Sequence, residues 1–428
     1  MQDLLNIWSE WIKPSAGLAT VQWSVLLALA AAAGHLVQRY AGLPKVIGYS
    51  VVGALAGFAG FTGALWPLEG IGLFLLELGV AVVLFEAGGR ISLRWFRHNP
   101  MVLVQSLLES GLTLVSVYWA MKYMGVREAV AQPLAMLAMT ASPAVLARVL
   151  IDTRASGPVS ERAMVLSTLS TLYALLLCSA AAGMMGRGEK ILGPVAVTIS
   201  TSFYPVLVVL GLSVVVGSAL ALVLRMALRV MSPTSENTAI LLLAVIAAGA
   251  ALAAHFGGSA ALAALLGGML LKQLNPRPWS WPRQMGTASS MLTMLMFVLV
   301  SVVAAQADWG GPVAALVAAL IVVRVASKIV GTALGNVGSG ASWRQALWVG
   351  CAMSPLSSVA LLLVSGFISA EPTLGKQIAS IALPAILLME VFGAVLATLA
   401  ITRAGESSRP PKLQLQPAVV GSSQRGDL

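Results

Sequence analysis

Two cations stand four residues apart in an otherwise apolar stretch, Arg324 and Lys328 in VVRVASKIVGTALG. That spacing puts both on one face of a helix, about 6 Å apart along its axis. A charge at membrane depth is costly and marks an ion or proton path by default. Its structural use would be snorkelling, or bonding to the carbonyl ends of broken helices. Four glutamates, Glu77, Glu86, Glu109 and Glu390, also interrupt apolar runs, and each could hold a cation or a proton. Glu86 has Arg90 four residues on, so an interfacial ion pair is its structural alternative. Glu109 and Glu390 fall mid-way along their segments, and for Glu390 an interhelical polar contact is the structural alternative. His35, His98 and His255 fall at different helix ends, and Cys178 and Cys351 lie singly in apolar runs. This inventory predicts no catalytic constellation, metal site or cofactor, and an enzyme is not expected.

The elements that position these charges follow from composition. Across 428 residues, 58% are hydrophobic and 10% charged, too few to solvate the surface of soluble domains. Mean hydropathy is +0.89, and apolar runs of about 18–25 residues make the bilayer the solvent. A barrel would alternate apolar and polar residues, whereas Val21–Leu36 and Ile240–Ala254 are apolar on nearly all faces. The expected fold is an all-α polytopic membrane protein of about thirteen helices, near 19–38, 44–62, 70–89, 100–121, 129–151, 161–185, 200–228, 237–255, 258–272, 286–306, 311–335, 344–368 and 376–401. Residues 1–18 form an extracytoplasmic segment, and 403–428 a disordered cytoplasmic tail. The opening MQDLLNIWSEWIKPS lacks a basic region and a small-residue cleavage pattern, so insertion is expected to rest on the first membrane helix.

The net charge of +10 is a topology signal rather than a nucleic-acid footprint. With the N-terminus outside, the inner loops and the tail collect most of the basic residues, among them Arg39, Lys45, Arg90, Arg94, Arg97, Arg148, Arg154, Arg162, Arg225, Arg229, Lys272, Arg277, Arg283 and Arg344. The outer segments keep Lys13, Lys122, Arg127, Arg187, Lys190 and Lys376. Trp66, Trp119 and Trp309 fall at outer helix ends; Trp95, Trp279, Trp281 and Trp343 fall at inner ones. The expected placement is a bacterial inner membrane, N-terminus out and C-terminus cytoplasmic, with lipid as a partner.

An odd helix count fits two inverted six-helix repeats, about 19–185 and 237–402, joined by a linker helix near 200–228. The fifth helix of each carries a Ser-Pro pair, Ser142-Pro143 and Ser354-Pro355. Proline removes a helix hydrogen bond and disfavours helical geometry before it, so both segments are expected to break and expose ends that hold ions. The second helices also correspond: Gly48, Gly53 and Gly57 against Gly257, Gly258, Gly267 and Gly268.

The segments PKVIGYSVVGALAGF (44–58), LELGVAVVLFEAGGRIS (76–92), TASPAVLARVL (140–150), SAALAALLGGMLL (259–271), VVRVASKIVGTALG (322–335) and ALWVGCAMSPLSSVALLLVSG (346–366) together resemble the monovalent cation/proton antiporter superfamily, the sodium/hydrogen exchangers and Kef-type membrane domains. The resemblance covers about 20–402. It implies a homodimer in which two broken helices cross inside a moving core of helices 4, 5, 6, 11, 12 and 13, with a monovalent cation and a proton as substrates. Glu86 matches the family's Phe-Glu-Gly motif. In the family the sixth helix carries an Asn-Asp or Asp-Asp pair, and Thr-Asp-Pro is common at the first break.

Here Ser170 and Thr171 stand at the sixth-helix positions, with Thr140 and Ser142 at the break. Hydroxyls can coordinate a cation but do not titrate near neutral pH. Lys328, which in the family would face the sixth-helix carboxylate, needs another partner, Glu86 or Glu109, or must become neutral. Three readings follow: sodium or potassium exchanged for protons by alternating access, an anion transporter using Arg324 and Lys328, or a non-transporting membrane sensor or partner subunit.

Overall fold

The computed structural model describes residues 18–61, 63–64, 66–91, 96, 99–186, 195–232, 235–275, 283–307, 309–356 and 358–408. The expected N-terminal segment, but for Leu18, and the tail from 409 on lie outside the described residues. So do Arg94, Trp95, Arg97, His98, Arg187, Lys190, Arg277, Trp279 and Trp281.

Among the described residues all regular structure is helical. In chain order the helices are α1 (Leu18–Leu36, continued by a π-turn Val37–Ala41), α2 (Lys45–Phe58), α3 (Gly70–Gly89), α4 (Pro100–Tyr123), α5a (Glu128–Ala138), α5b (Pro143–Thr153), α6 (Pro158–Gly186), α7 (Val195–Val230), α8 (Glu236–His255), α9 (Ala260–Leu274), α10 (Arg283–Ala305), α11 (Gly311–Leu334), α12a (Trp343–Ala352), α12b (Ser358–Ala370) and α13 (Pro372–Arg403). Taking Glu128–Thr153 as one span, ten are long and apolar enough to cross a membrane. The helix starts are written in the sequence. Pro143 opens α5b behind Ser142, whose hydroxyl accepts from the Val145 amide at 3.3 Å. Ser342 and Gln345 close a reciprocal capping box on α12a.

Both proline-containing segments break. The first leaves the helix between Ala138 and Pro143, the second after Ala352. Each half is about 15–20 Å long, too short to span alone. The remaining helices pack reciprocally. The second helix of the first half, α2, lies on the third of the second half, α10; α3 lies on α9; α4 lies on α11; and both halves of α12 lie on α6 while those of α5 lie on α13. Glycine permits the closest of these approaches: a Cβ on Gly268 would overlap the Phe85 carbonyl, and one on Gly88 the Leu265 carbonyl. Phe85, Leu220, Leu224, Leu242 and Ile246 build a separate core among α3, α7, α8 and α9.

Candidate functional site

The two breaks meet. The Ser142 amide donates to the Pro355 carbonyl at 3.0 Å, so the chain crosses itself where each helix is unwound. Unwinding leaves carbonyls without helical donors, and side chains supply them. The Thr171 hydroxyl of α6 lies 2.6 Å from the Ala141 carbonyl and 2.7 Å from that of Ser167. The Thr140 hydroxyl donates to Leu137, and that of Ser170 to Ser167. All four hydroxyl residues of the expected site, Thr140, Ser142, Ser170 and Thr171, are thus brought to or beside the crossing, fully buried.

Arg324 reaches the crossing from α11. Its Nε donates to Ala138 at 3.0 Å, one terminal nitrogen to Ser354 at 2.5 Å, and the other to Thr140 at 2.6 Å and Pro355 at 3.3 Å. These are the carbonyl ends of α5a and α12a, where the helix dipoles concentrate negative charge. The guanidinium, wholly shielded, is therefore a clasp on both half-helices.

One turn further along α11, Lys328 Nζ lies 2.5 Å from Glu109 Oε1 and 3.0 Å from the Met139 carbonyl at the first break. Both side chains are 0% exposed. Around the carboxylate, Ser110 donates to Oε2 at 3.1 Å, Thr113 lies 3.4 Å from Oε1, and Ser327 reaches Thr113 at 3.3 Å. The approach of α4 to α11 that makes this possible rests on Gly331, where an added Cβ would stand 2.6 Å from the Glu109 Cα. Of the two acids that Lys328 could meet, the structure places Glu109 against it.

The other acids lie elsewhere. Glu86 pairs with Arg90 at 2.7 Å, the two side chains 29% and 38% exposed, and accepts from Ser289 at 3.2 Å. It lines a cavity of about 90 Å³ that reaches Pro143 and Arg148. This adjoins, through Arg90, Ile151 and Met164, a wider cleft of about 590 Å³ that extends to Ser156 and Glu161. The α5b start is thus approached from the side where α6 begins. Glu390 on α13 accepts from Ser50 of α2 at 2.6 Å and lies 3.5 Å from Ser301 of α10. Glu77 is half-buried on α3 and makes none of these contacts. Cys178 and Cys351 are free. Ser110, Thr113 and Ser327 are not among the residues expected from sequence, although with Gln105 and Glu109 the first two form a stripe at helical spacing along α4.

The residues 25–403 match the family described as "Sodium/hydrogen exchanger, transmembrane". The chain belongs to the sodium/hydrogen exchanger family. That family comprises transporters, and membership makes this an integral membrane protein of their class. Among solved structures, the sodium proton antiporter MjNhaP1 from Methanocaldococcus jannaschii at pH 8 superposes with a TM-score of 0.67 at 16% identity, covering 90% of this chain and 98% of that one. A second structure of the same antiporter, an electron microscopy map, gives 0.57 at 16% identity with 96% of each chain covered. At this identity the likeness establishes the exchanger fold. No curated protein matches the sequence. Within this exchanger fold, α4 brings a buried carboxylate, Glu109, beside the crossing, while α6 offers the hydroxyls of Ser170 and Thr171.

Proposed function

We propose that the chain exchanges a monovalent cation, sodium or potassium, for a proton by alternating access, with Glu109 and Lys328 as the exchanging pair. The supporting observation is the 2.5 Å contact between their side chains, sealed from solvent and bonded to the carbonyl of a broken helix. Without cation, the ammonium neutralises the carboxylate. A dehydrated cation arriving at Glu109, with the Ser110 and Thr113 hydroxyls and the Met139 carbonyl as further oxygen donors, takes over that neutralisation. Lys328 then gives up its proton and remains as a neutral amine. The site's charge is the same in both states, so one cation moves per proton. Thr140, Ser142, Ser170 and Thr171 hold the crossing and offer hydroxyl oxygens beside it, and Glu86 draws cations into the cleft.

In this reading α1–α6 and α8–α13 are inverted repeats about the linker α7, as their reciprocal packing suggests. The core of α4, α5, α6, α11, α12 and α13 moves against the rest, and the protein is a homodimer in a bacterial inner membrane, N-terminus outside. The anion reading gains no support, because Arg324 spends its donors on four carbonyls. A non-transporting reading draws on one observation, that Thr171 and Ser170 are already engaged with carbonyls. The test is purified protein in liposomes bearing an imposed pH gradient. Sodium or potassium should collapse it at a rate insensitive to a potassium-ionophore clamp of membrane potential, and Glu109→Gln should abolish the response. A wild-type protein giving no response to either cation sinks the proposal in favour of the non-transporting reading.

A further inference from the structure

The polar face of α4 continues past Glu109 toward the helix start. One turn away, Gln105 is fully buried; its Nε2 donates to the Thr332 carbonyl at 2.7 Å, which fixes the orientation of the amide. Its Oε1 is then a buried acceptor with no hydrogen-bond donor among the described residues. Acceptors of this kind are ordinarily satisfied by an ordered water. Gln105 and Glu109, four apart, share a helix face about 6 Å along the axis. Gly335 lets α11 close over this stretch, where a Cβ would stand 2.6 Å from the Gln105 Cα. Next to Gly335, Asn336 begins a polar cluster. Ser339 donates to Asn336 at 2.6 Å, and Arg162 of α6 donates to Ser339 Oγ at 2.8 Å and its carbonyl at 3.0 Å. The loop there surfaces at Val337 and Gly338.

We propose that, while the site faces inward, this seam between α4, α6 and α11 carries the exchanged proton between Lys328 and the inner solution, with Gln105 holding the relay water, apart from the cation's path beside Glu86. The two paths lie on opposite sides of α6. Met164 and the α5b start face the Glu86 cavity, whereas Arg162 faces Asn336 and Ser339, and Tyr173 meets Ser106 of α4 at 3.4 Å. At the mouth of the seam, Arg162 presents a positive charge to neutral oxygens. That charge repels a metal cation, while hydroxyls, amide and water still pass a proton along hydrogen bonds. The step balances: the Lys328 ammonium gives its proton to the water on Gln105, the water passes one on toward Ser339, Lys328 is left a neutral amine, and the arriving cation takes the charge beside Glu109.

The inference rests on the exchange reading above, and its test separates the two. In proteoliposomes, Gln105→Leu should cut sodium-driven proton turnover about tenfold or more while leaving half-saturating sodium unchanged, and should enlarge the solvent deuterium isotope effect. Gln105→Glu, nearly equal in size and able to carry a proton, should restore turnover. A wild-type protein without cation-driven proton flux overturns the exchange reading itself. A wild-type protein that exchanges, beside a folded Gln105→Leu variant of equal turnover and isotope effect, overturns the relay alone. Should Gln105→Leu fail to fold, Gln105→Glu decides: a pH profile of turnover displaced from wild type supports the relay, and an unchanged one overturns it.

Discussion

Glu109→Gln removes the charge but not the bulk of the carboxylate that faces Lys328. At 2.5 Å the pair's attraction is about 7 kcal/mol at an effective dielectric of about 20, against which desolvation of both ions must be set. Removing one partner leaves the other buried and uncompensated, at a cost of about 3–5 kcal/mol. Lys328 keeps the Met139 carbonyl at 3.0 Å and gains the glutamine oxygen as acceptor, so the lower end, about 3 kcal/mol, is expected. Replacing both partners differs in kind. Glu109→Gln with Lys328→Met leaves no charge at the pair, and stability should return to within about 1 kcal/mol of wild type, since replacing both partners of a buried pair by uncharged groups is often neutral. Transport should stay at background in the double variant, because nothing there titrates or holds a cation. The assays are denaturant unfolding in detergent, read as a cycle of four proteins, and dye-reported proton flux in liposomes. A Glu109→Gln protein that still exchanges cations for protons would refute the assignment. A double variant no more stable than the single one would refute the electrostatic account of the pair.

Other outcomes follow from the same geometry. Arg324→Lys offers at most three donors where four carbonyl contacts exist, and hydrogen bonds to charged groups are worth about 1.5–3 kcal/mol, so it should lower folded yield below that of wild type; yield after detergent extraction measures it. Gly331→Val should force α4 from α11 and reduce turnover without touching any charged group, measured by proton flux beside a gel-filtration control. Glu86→Gln should leave stability within about 0.5 kcal/mol, because its partly exposed pair with Arg90 contributes little, while raising the half-saturating cation concentration more at low than at high ionic strength. Asp152 accepts from the Lys45 amide at 2.9 Å and lies 3.8 Å from Arg148, which reaches Ser290 at 3.1 Å, tying α5b to α2 and α10. Asp152→Ala should loosen that tie, seen as faster alkylation of a cysteine introduced at Ala144 in the adjoining cavity.

Helices were legible because their signals are local. Apolar runs gave the spans, and Ser142-Pro143 and Ser354-Pro355 gave the breaks, since a proline's missing amide acts on its own neighbours. Partnership was less so. Lys328 lies 219 positions beyond Glu109, and nothing in either segment chooses between Glu109 and Glu86. That choice is made by Gly331 and Gly335, which bring α4 and α11 together, and their spacing reads in sequence only as permission for some close neighbour. The stripe of Gln105, Ser106, Glu109, Ser110 and Thr113 was a readable signal of a buried polar face, weakened by the equal ability of serine and threonine to bond within their own helix. Thr113 does both, donating to the Glu109 carbonyl at 2.8 Å while facing its carboxylate.

Placing two cations four apart on α11 divides two tasks that a single residue could not combine. The crossing needs a permanent positive charge, because the carbonyls of Ala138, Thr140, Ser354 and Pro355 converge there whatever ion is bound. An exchange cycle needs a cation that can lose its charge. Arginine effectively never deprotonates, and a buried lysine does so readily. With Arg324 at the carbonyls and Lys328 one turn away at the carboxylate, the proton can leave without releasing the clasp on the two half-helices. Exchanging the two, Arg324→Lys with Lys328→Arg, keeps net charge and approximate volume but puts the permanent charge against Glu109. The swapped protein should share the lower folded yield of Arg324→Lys, and the part that folds should have its carboxylate held in a pair that no proton loss can open and give no cation-driven proton flux. Exchange by that variant at the wild-type rate would show that Lys328 acts only as a fixed charge and that the titrating group lies elsewhere.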